Sequence, residues 1–307
     1  NHTIHLIAMA KIAGIVLTWE DFDAISKVTP LLCKLYPNGS ADVNHFRDAG
    51  GMAVIIKQLL NLGLVHNDVK TIMGESLEKY IVEPQIKNEK LVFVKSEGIS
   101  TNKSILSSAY EPFSNEGGVK LLKGNLGESV TKISALKKEQ LFIKAPAIVF
   151  NSQEELQIAF KEKRIYQDFI AVVRYQGPKA NGMPELHGLI PALGSLKDMG
   201  YKVALITDGR MSGASGKVPS AIHLTPEAKN GGLISKIEDG DIITLDINNG
   251  TLNIETTLDN LEKREEKNIN LINNNYGSGR ELFSPMRKNV SGANEGATIF
   301  SLPGEEI

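Results

Sequence analysis

One cysteine, Cys33, stands among 307 residues. A lone thiol excludes an internal disulfide framework and agrees with a reducing cytoplasm. By itself it cannot ligate a structural zinc or an iron–sulfur cluster. Within Leu31-Leu32-Cys33 it reads as a small buried hydrophobe. Charge of one sign is also lacking: 34 bases oppose 36 acids, a formal net charge of −2. That balance leaves no electrostatic footprint for nucleic acid or an anionic membrane. No apolar run reaches the roughly 18 residues of a membrane-spanning helix. There is no internal repeat. The start, Asn1-His2-Thr3-Ile4-His5-Leu6, shows no methionine, basic n-region or cleavage-like site, and reads as a chain entered in mid-element.

Several standard motifs are absent as well. Gly209, Gly213 and Gly216 do not have dinucleotide G-x-G-x-x-G spacing. Gly216-Lys217 is followed by Val218, with no glycine at 211, so it is not a phosphate-binding P-loop. No G-x-S-x-G elbow occurs and no histidine pair has zincin spacing.

Residues 3–13 carry apolar positions at helical spacing, with Gly14 just beyond the end. Thr18 with Asp21 predicts the cap of a second helix. Pro37-Asn38-Gly39 predicts a turn, Asp42 the cap of a helix through Asp48, and Val54–Leu62 a helix stopped by Gly63. A further helix is expected from Asn67 or Asp68 to about Tyr80. The first eighty residues thus read as helical, their apolar faces needing a partner layer that is expected upstream of Asn1.

From about residue 85 short β-prone runs (Leu91–Val94, Gln140–Lys144, Ala147–Phe150) alternate with glycine turns. Ser152 and Glu155 form a capping box for a helix through Glu162. Phe169–Tyr175 is an apolar strand, Pro184–Met199 a helix, and Lys202–Ile206 another strand. Strand, helix and strand within about forty residues make a βαβ unit with two parallel strands. Ile242–Ile247 and Thr251–Thr256 flank Asn248-Asn249-Gly250, a hairpin signal. Lys263–Asn275 reads as a solvated surface excursion.

In a βαβ unit the loops after both strands emerge at one sheet edge, where open α/β sheets bind ligands. Glu185 from the first loop should therefore meet Asp208, Arg210, Ser212, Ser215 and Lys217 from the second, Thr207–Lys217. Bland readings stand beside this one. Glu185 can complement a helix dipole, Ser212 and Ser215 can be turn residues, and Arg210 can pair with Asp208. His187 and His223 read as surface or supporting residues. His2, His5, His45 and His66 read as ordinary residues of the helical region.

Thr207-Asp208-Gly209-Arg210-Met211-Ser212-Gly213-Ala214-Ser215 resembles the C-terminal signature of the dihydroxy-acid and sugar-acid dehydratases. Leu35–Gly39 with Asp42 to Phe46, Gln176–His187, Gly216–Glu227 and Gly277–Phe283 extend the resemblance over essentially the whole chain. They narrow it to members acting on a phosphorylated sugar acid. The resemblance implies dehydration at a [4Fe-4S] cluster, with Ser212 as an alkoxide base and Glu185 as a magnesium ligand. Arg210 and Ser215 are assigned to substrate. Asn38, His45, Lys217 and Ser220 are candidate phosphate contacts on their donor chemistry.

The resemblance also implies a mixed α/β fold. Residues 1–88 would be the helical tail of an α/β catalytic domain, and residues 89–307 a β-barrel-like swivelling domain with flanking helices. Cluster ligands and the other magnesium ligands are expected in an N-terminal part outside this chain. On that reading the chain alone is inactive, and the complete enzyme is a cytoplasmic homodimer. The competing readings are another dehydratase of the family and a non-catalytic β-barrel binding module.

Overall fold

A computed structural model describes residues 1–211, 216–265, 269–277 and 279–301. The chain begins with helices α1 (His2–Ile12) and α2 (Trp19–Val28). Thr18 and Asp21 cap α2 as expected: the Thr18 N–H and hydroxyl both donate to Asp21 Oδ2 at 2.8 Å. The chain divides into two compact units, 25–118 and a larger one of 1–24 with 119–307.

In the smaller unit, α3 (Val43–Asp48) starts at Asp42, whose carboxylate accepts the N–H groups of Asn44 and His45. Gly50, at φ +112°, separates α3 from α4 (Gly51–Asn61). Leu32, Ala49, Val54 and Leu106 form a small core. The helix expected over 67–80 is not formed. That stretch holds a ribbon, β1 (Lys70–Thr71) with β2 (Gly74–Glu75), followed by a 3₁₀ turn at Leu77–Tyr80. Asn67 Oδ1 accepts from the Ser76 hydroxyl and the Glu78 N–H, so it caps the 3₁₀ turn instead of opening a helix. An antiparallel hairpin follows, β3 (Val82–Lys87) with β4 (Lys90–Lys95).

The larger unit is built on a closed eight-stranded barrel. Its strands are β5 (Val119–Gly124), β6 (Gly127–Lys132), β7 (Phe142–Phe150), β8 (Phe169–Val173), β9 (Val203–Thr207), β10 (Ser220–Thr225), β11 (Ile242–Asp246) and β12 (Thr251–Ile254). Around the barrel the order is β10-β6-β5-β12-β11-β7-β8-β9. The two runs read separately before and after Pro146 are one strand, β7. Ala147 N–H continues the ladder to Asp241 O at 2.8 Å, and Pro146 sits opposite Ile242 without breaking it. β7, β8, β9 and β10 run parallel.

Residues of β8 and β9 are buried on both faces, which is why they read as continuous apolar runs. Ile170, Val172, Ala204 and Ile206 fill the barrel with Ala145, Leu245 and Leu252. Their neighbours Phe169, Ala171, Val173 and Leu205 pack outward on α5 (Gln153–Lys161) and, after the short α6 (Pro178–Asn181), on α7 (Leu189–Asp198). Two short helices complete the unit, α8 (Leu258–Lys263) and α9 (Ser284–Asn289).

α1 finds part of its packing within the chain, while its Leu6, Met9 and Ile12 stay exposed. Ile4 and Ile7 pack with Trp19 against Val130, Met183 and Ala293. The Trp19 indole donates to Thr3 O at 2.9 Å.

Candidate active site

The carboxyl ends of β8, β9 and β10 lie at one edge of the barrel, and each leads into a polar loop. The loop after β8 carries Glu185, and the loop after β9 carries Arg210. The structure joins them: Arg210 Nη1 donates to Glu185 Oε2 at 2.8 Å, and Arg210 Nε donates to Met183 O at 2.6 Å. The backbones of Glu185 and Arg210 also form a parallel bridge. Glu185 therefore lies extended beside the second loop. Helix α7 begins only at Leu189, later than the Pro184 expected from sequence, so Glu185 is not in a first helical turn. Both side chains of the pair stay about 30% exposed, which leaves them open to a ligand (30% for Arg210, 31% for Glu185).

Asp208 does not pair with Arg210. It is fully buried, and its carboxylate accepts from the N–H groups of Tyr175 (3.1 Å), Gln176 (2.9 Å) and Ala228 (3.0 Å). One side chain thus ties three loops together. Burial is the largest influence on it and pushes its pKa up to about 6, against the pull of those N–H donors.

Glu227, in the loop after β10, does the same for α6 by accepting from Lys179 N–H (2.8 Å) and Ala180 N–H (3.1 Å). Burial, with the nearby Asp208 adding repulsion, pushes it up to about 7. Both loops press close. A Cβ placed on Gly209 would lie 2.7 Å from Gln176 Cβ, and one on Gly177 would lie 2.4 Å from Glu227 Oε2. Tyr175, Met183 and His223 all hold positive φ near this edge, the kind of backbone strain that gathers at functional sites.

His223 is completely buried, not a surface residue. Its Nδ1 lies 3.4 Å from Thr3 Oγ1, and its Nε2 has no hydrogen-bond partner among the described residues. Burial, reinforced by the Arg210 charge, holds the imidazole down to about 3, hence neutral.

Ser212 and Ser215 lie outside the described residues. Lys217 is exposed, and its carbonyl accepts from Gln140 Nε2. Ser220 begins β10, at the strand end opposite Glu227, and its hydroxyl donates to Val218 O. Asn38 and His45 belong to the smaller unit. There the Asn38 amide donates to Cys33 O, and His45 Nδ1 closes the capping box with Asp42. His187 is exposed.

Sequence reasoning found the two loops after β8 and β9 but missed the third. Its signal was Pro226-Glu227-Ala228, an acid directly after the run Ser220–Thr225.

The described residues do not fit an iron–sulfur cluster. The chain's one cysteine is half-buried, and burial raises its thiol to about 11, far from the thiolate that iron needs. Nor do they complete a magnesium site, since no three His, Cys, Asp or Glu converge among them and Glu185 supplies one carboxylate. No described helix is long and apolar enough to cross a membrane.

A barrel whose parallel-strand loops join an acid–arginine pair and a glycine-rich turn defines a class that the family comparison identifies. The C-terminal model of the dihydroxy-acid/6-phosphogluconate dehydratases matches residues 104–297, and the N-terminal model matches residues 1–80. The chain belongs to this family. Among individual proteins, it is 50% identical over 301 residues to a phosphogluconate dehydratase of Rhizobium meliloti, covering 98% of this chain and 50% of that one. It is 52% identical over 316 residues to the phosphogluconate dehydratase of Helicobacter pylori strain J99 (98% and 51%). A dihydroxy-acid dehydratase of Clostridium novyi is 36% identical over 270 residues (87% and 46%). The chain thus spans about half the length of the curated relatives it matches.

Proposed function

We propose that this chain is part of a phosphogluconate dehydratase, a hydro-lyase converting 6-phospho-D-gluconate to 2-dehydro-3-deoxy-6-phosphogluconate in the Entner–Doudoroff route. The observation that carries the reading is the Glu185–Arg210 pair, held two residues from Ser212 in a family member half identical to phosphogluconate dehydratases.

In the reaction the C2 proton is removed, the C3 hydroxyl departs as water, and the resulting enol tautomerises to the ketone. Ser212 is assigned the C2 proton. A serine hydroxyl becomes a base only if its anion is stabilised, and each pKa unit demands about 1.4 kcal/mol. The Arg210 guanidinium and the backbone N–H groups of a glycine turn are the physical sources of that stabilisation. Glu185, fixed by Arg210, is assigned to a divalent cation, while Asp208 and Glu227 hold the loops in register.

On this reading residues 1–88 end the catalytic domain and 89–307 form the swivelling domain. The cluster ligands and the remaining magnesium ligands belong to the further length of the relatives, the complete enzyme is a homodimer, and this chain alone is inactive. Arg210, Ser215 and Lys217 would face the substrate.

The test uses a protein of the relatives' full length. Ser212→Ala is expected to lower kcat by about 10²- to 10⁴-fold, the span of general base catalysis, with the visible absorption of any cluster unchanged. A variant that turns over normally overturns the assignment. A wild-type protein preferring an unphosphorylated acid would move the reading to another dehydratase of the family.

A further inference from the structure

Within the larger unit lies a cavity of about 670 Å³, inside the size range of small-molecule sites. It opens between α1, the Gly182–Met183 turn and α9. The ionisable side chains lining it are Arg210, Arg287 and His5, and no carboxylate is among the described residues of its wall. Met183, Phe283 and Met286 supply apolar surface, which strengthens a charge interaction made against it.

Two arginine side chains approach the same turn, one through its guanidinium and one through its aliphatic stem. Arg210 Nε donates to Met183 O, and a Cβ on Gly182 would lie 3.8 Å from Arg287 Cδ. Arg287 is set in place by its own donation from Nη1 to Arg280 O at 3.0 Å. Arg280 in turn donates to Asn274 O and Asn181 Oδ1. Glu281 feels the Arg287 charge but stands outside the cavity wall.

From this geometry we propose that the cavity takes the phosphate end of the sugar acid, with Arg287 as the residue that selects a phosphorylated over an unphosphorylated substrate and His5 as its auxiliary donor. The proposal rests on the dehydratase reading above. A guanidinium offers five N–H donors in a planar fork that matches a phosphate's oxygens. Arg210 is already committed to Glu185, so the two cations divide the substrate: one beside the acid that faces the reacting end, the other at the far end. Arg287 thereby displaces Asn38, His45, Lys217 and Ser220 as phosphate contacts. The Asn38 amide, the His45 imidazole and the Ser220 hydroxyl are each engaged locally, and Lys217 does not line this cavity.

The experiment measures kcat/KM for 6-phosphogluconate and for gluconate in the full-length protein and its Arg287→Gln variant. The ratio of the two is expected to fall about 10- to 100-fold, the loss of a charge-assisted hydrogen-bonding group. Arg287→Lys should recover part of it, and His5→Gln should lower it less. A ratio equal to wild type in Arg287→Gln overturns this proposal alone, and so does a parallel loss for both substrates, which would mark a purely structural residue. A wild-type protein indifferent to the phosphate overturns both this proposal and the function it rests on. Inorganic phosphate binding, followed by titration calorimetry, supplies a readout independent of turnover and should weaken in Arg287→Gln by a comparable factor.

Discussion

Glu227 keeps its carboxyl almost out of water, and burial, with repulsion from Asp208, outweighs two backbone N–H groups and the Lys179 charge to push its pKa up to about 7. A carboxyl that binds its proton more tightly in the fold adds stability that is complete below its unfolded value of about 4.5 and is lost as pH rises through about 7. Asp208 acts in the same direction, between about 3.8 and about 6. His223 opposes both. Its imidazole is held down to about 3, so its contribution is complete above about 6.5 and is lost as pH falls toward 3. Glu227→Gln removes one of the two falling contributions. The melting temperature of that variant is therefore expected to decline less than the parent's between about pH 4.5 and about pH 7. Parallel profiles for the two proteins would show that Glu227 does not titrate in this window. None of these shifts is visible in the sequence, where Glu227 and His223 are ordinary polar residues. Their chemistry comes from burial, and burial here is decided by strands far apart in the chain.

At the scale of elements, the site depends on how closely the turns after β8 and β9 approach. Gly209→Ala would place a methyl group 2.7 Å from Gln176 Cβ and 2.8 Å from Leu186 Cδ1. Overpacking of this kind costs about 1–3 kcal/mol. A denaturant titration should register that loss, and a variant as stable as the parent would mean the two turns yield freely. The helix–strand order around these turns was legible because Phe169–Val173 and Val203–Thr207 are unbroken apolar runs of strand length with a helical segment between them. The meeting of Glu185 with Arg210 followed from that order alone. Three local features misled. Asn67 looks like a helix cap but caps a 3₁₀ turn, Pro146 looks like a strand break but sits within a ladder, and Pro184 precedes an extended segment before α7 starts. The third loop escaped notice because Ser220–Thr225 lacks the unbroken apolar run that marks β8 and β9.

For the whole larger unit, barrel closure rests on pairs no sequence window contains: β10 with β6, and β12 with β5. The ends of the chain add to it. Trp19 is 2% exposed and joins α1 to Val130 and Ala293. Trp19→Ala is expected to destabilise this unit by about 3–5 kcal/mol, the usual cost of deleting a buried tryptophan. A melting temperature within a degree or two of the parent's would show that α1 docks without it. A chain trimmed to the C-terminal family match at 104–297 would lack α1 and Trp19 altogether. This arrangement also bears on synthesis. Ile4 and Ala293 share one cluster, yet they are separated by nearly the whole chain, so α1 leaves the ribosome with its docking surface not yet made. At about 5–20 residues per second, it waits roughly 15–60 s for its partner. During that interval Ile4 and Ile7 lack the Ala293 side of their cluster. Nascent chains arrested before residue 290 should accordingly be cut within α1, whereas chains that have released residue 300 should resist.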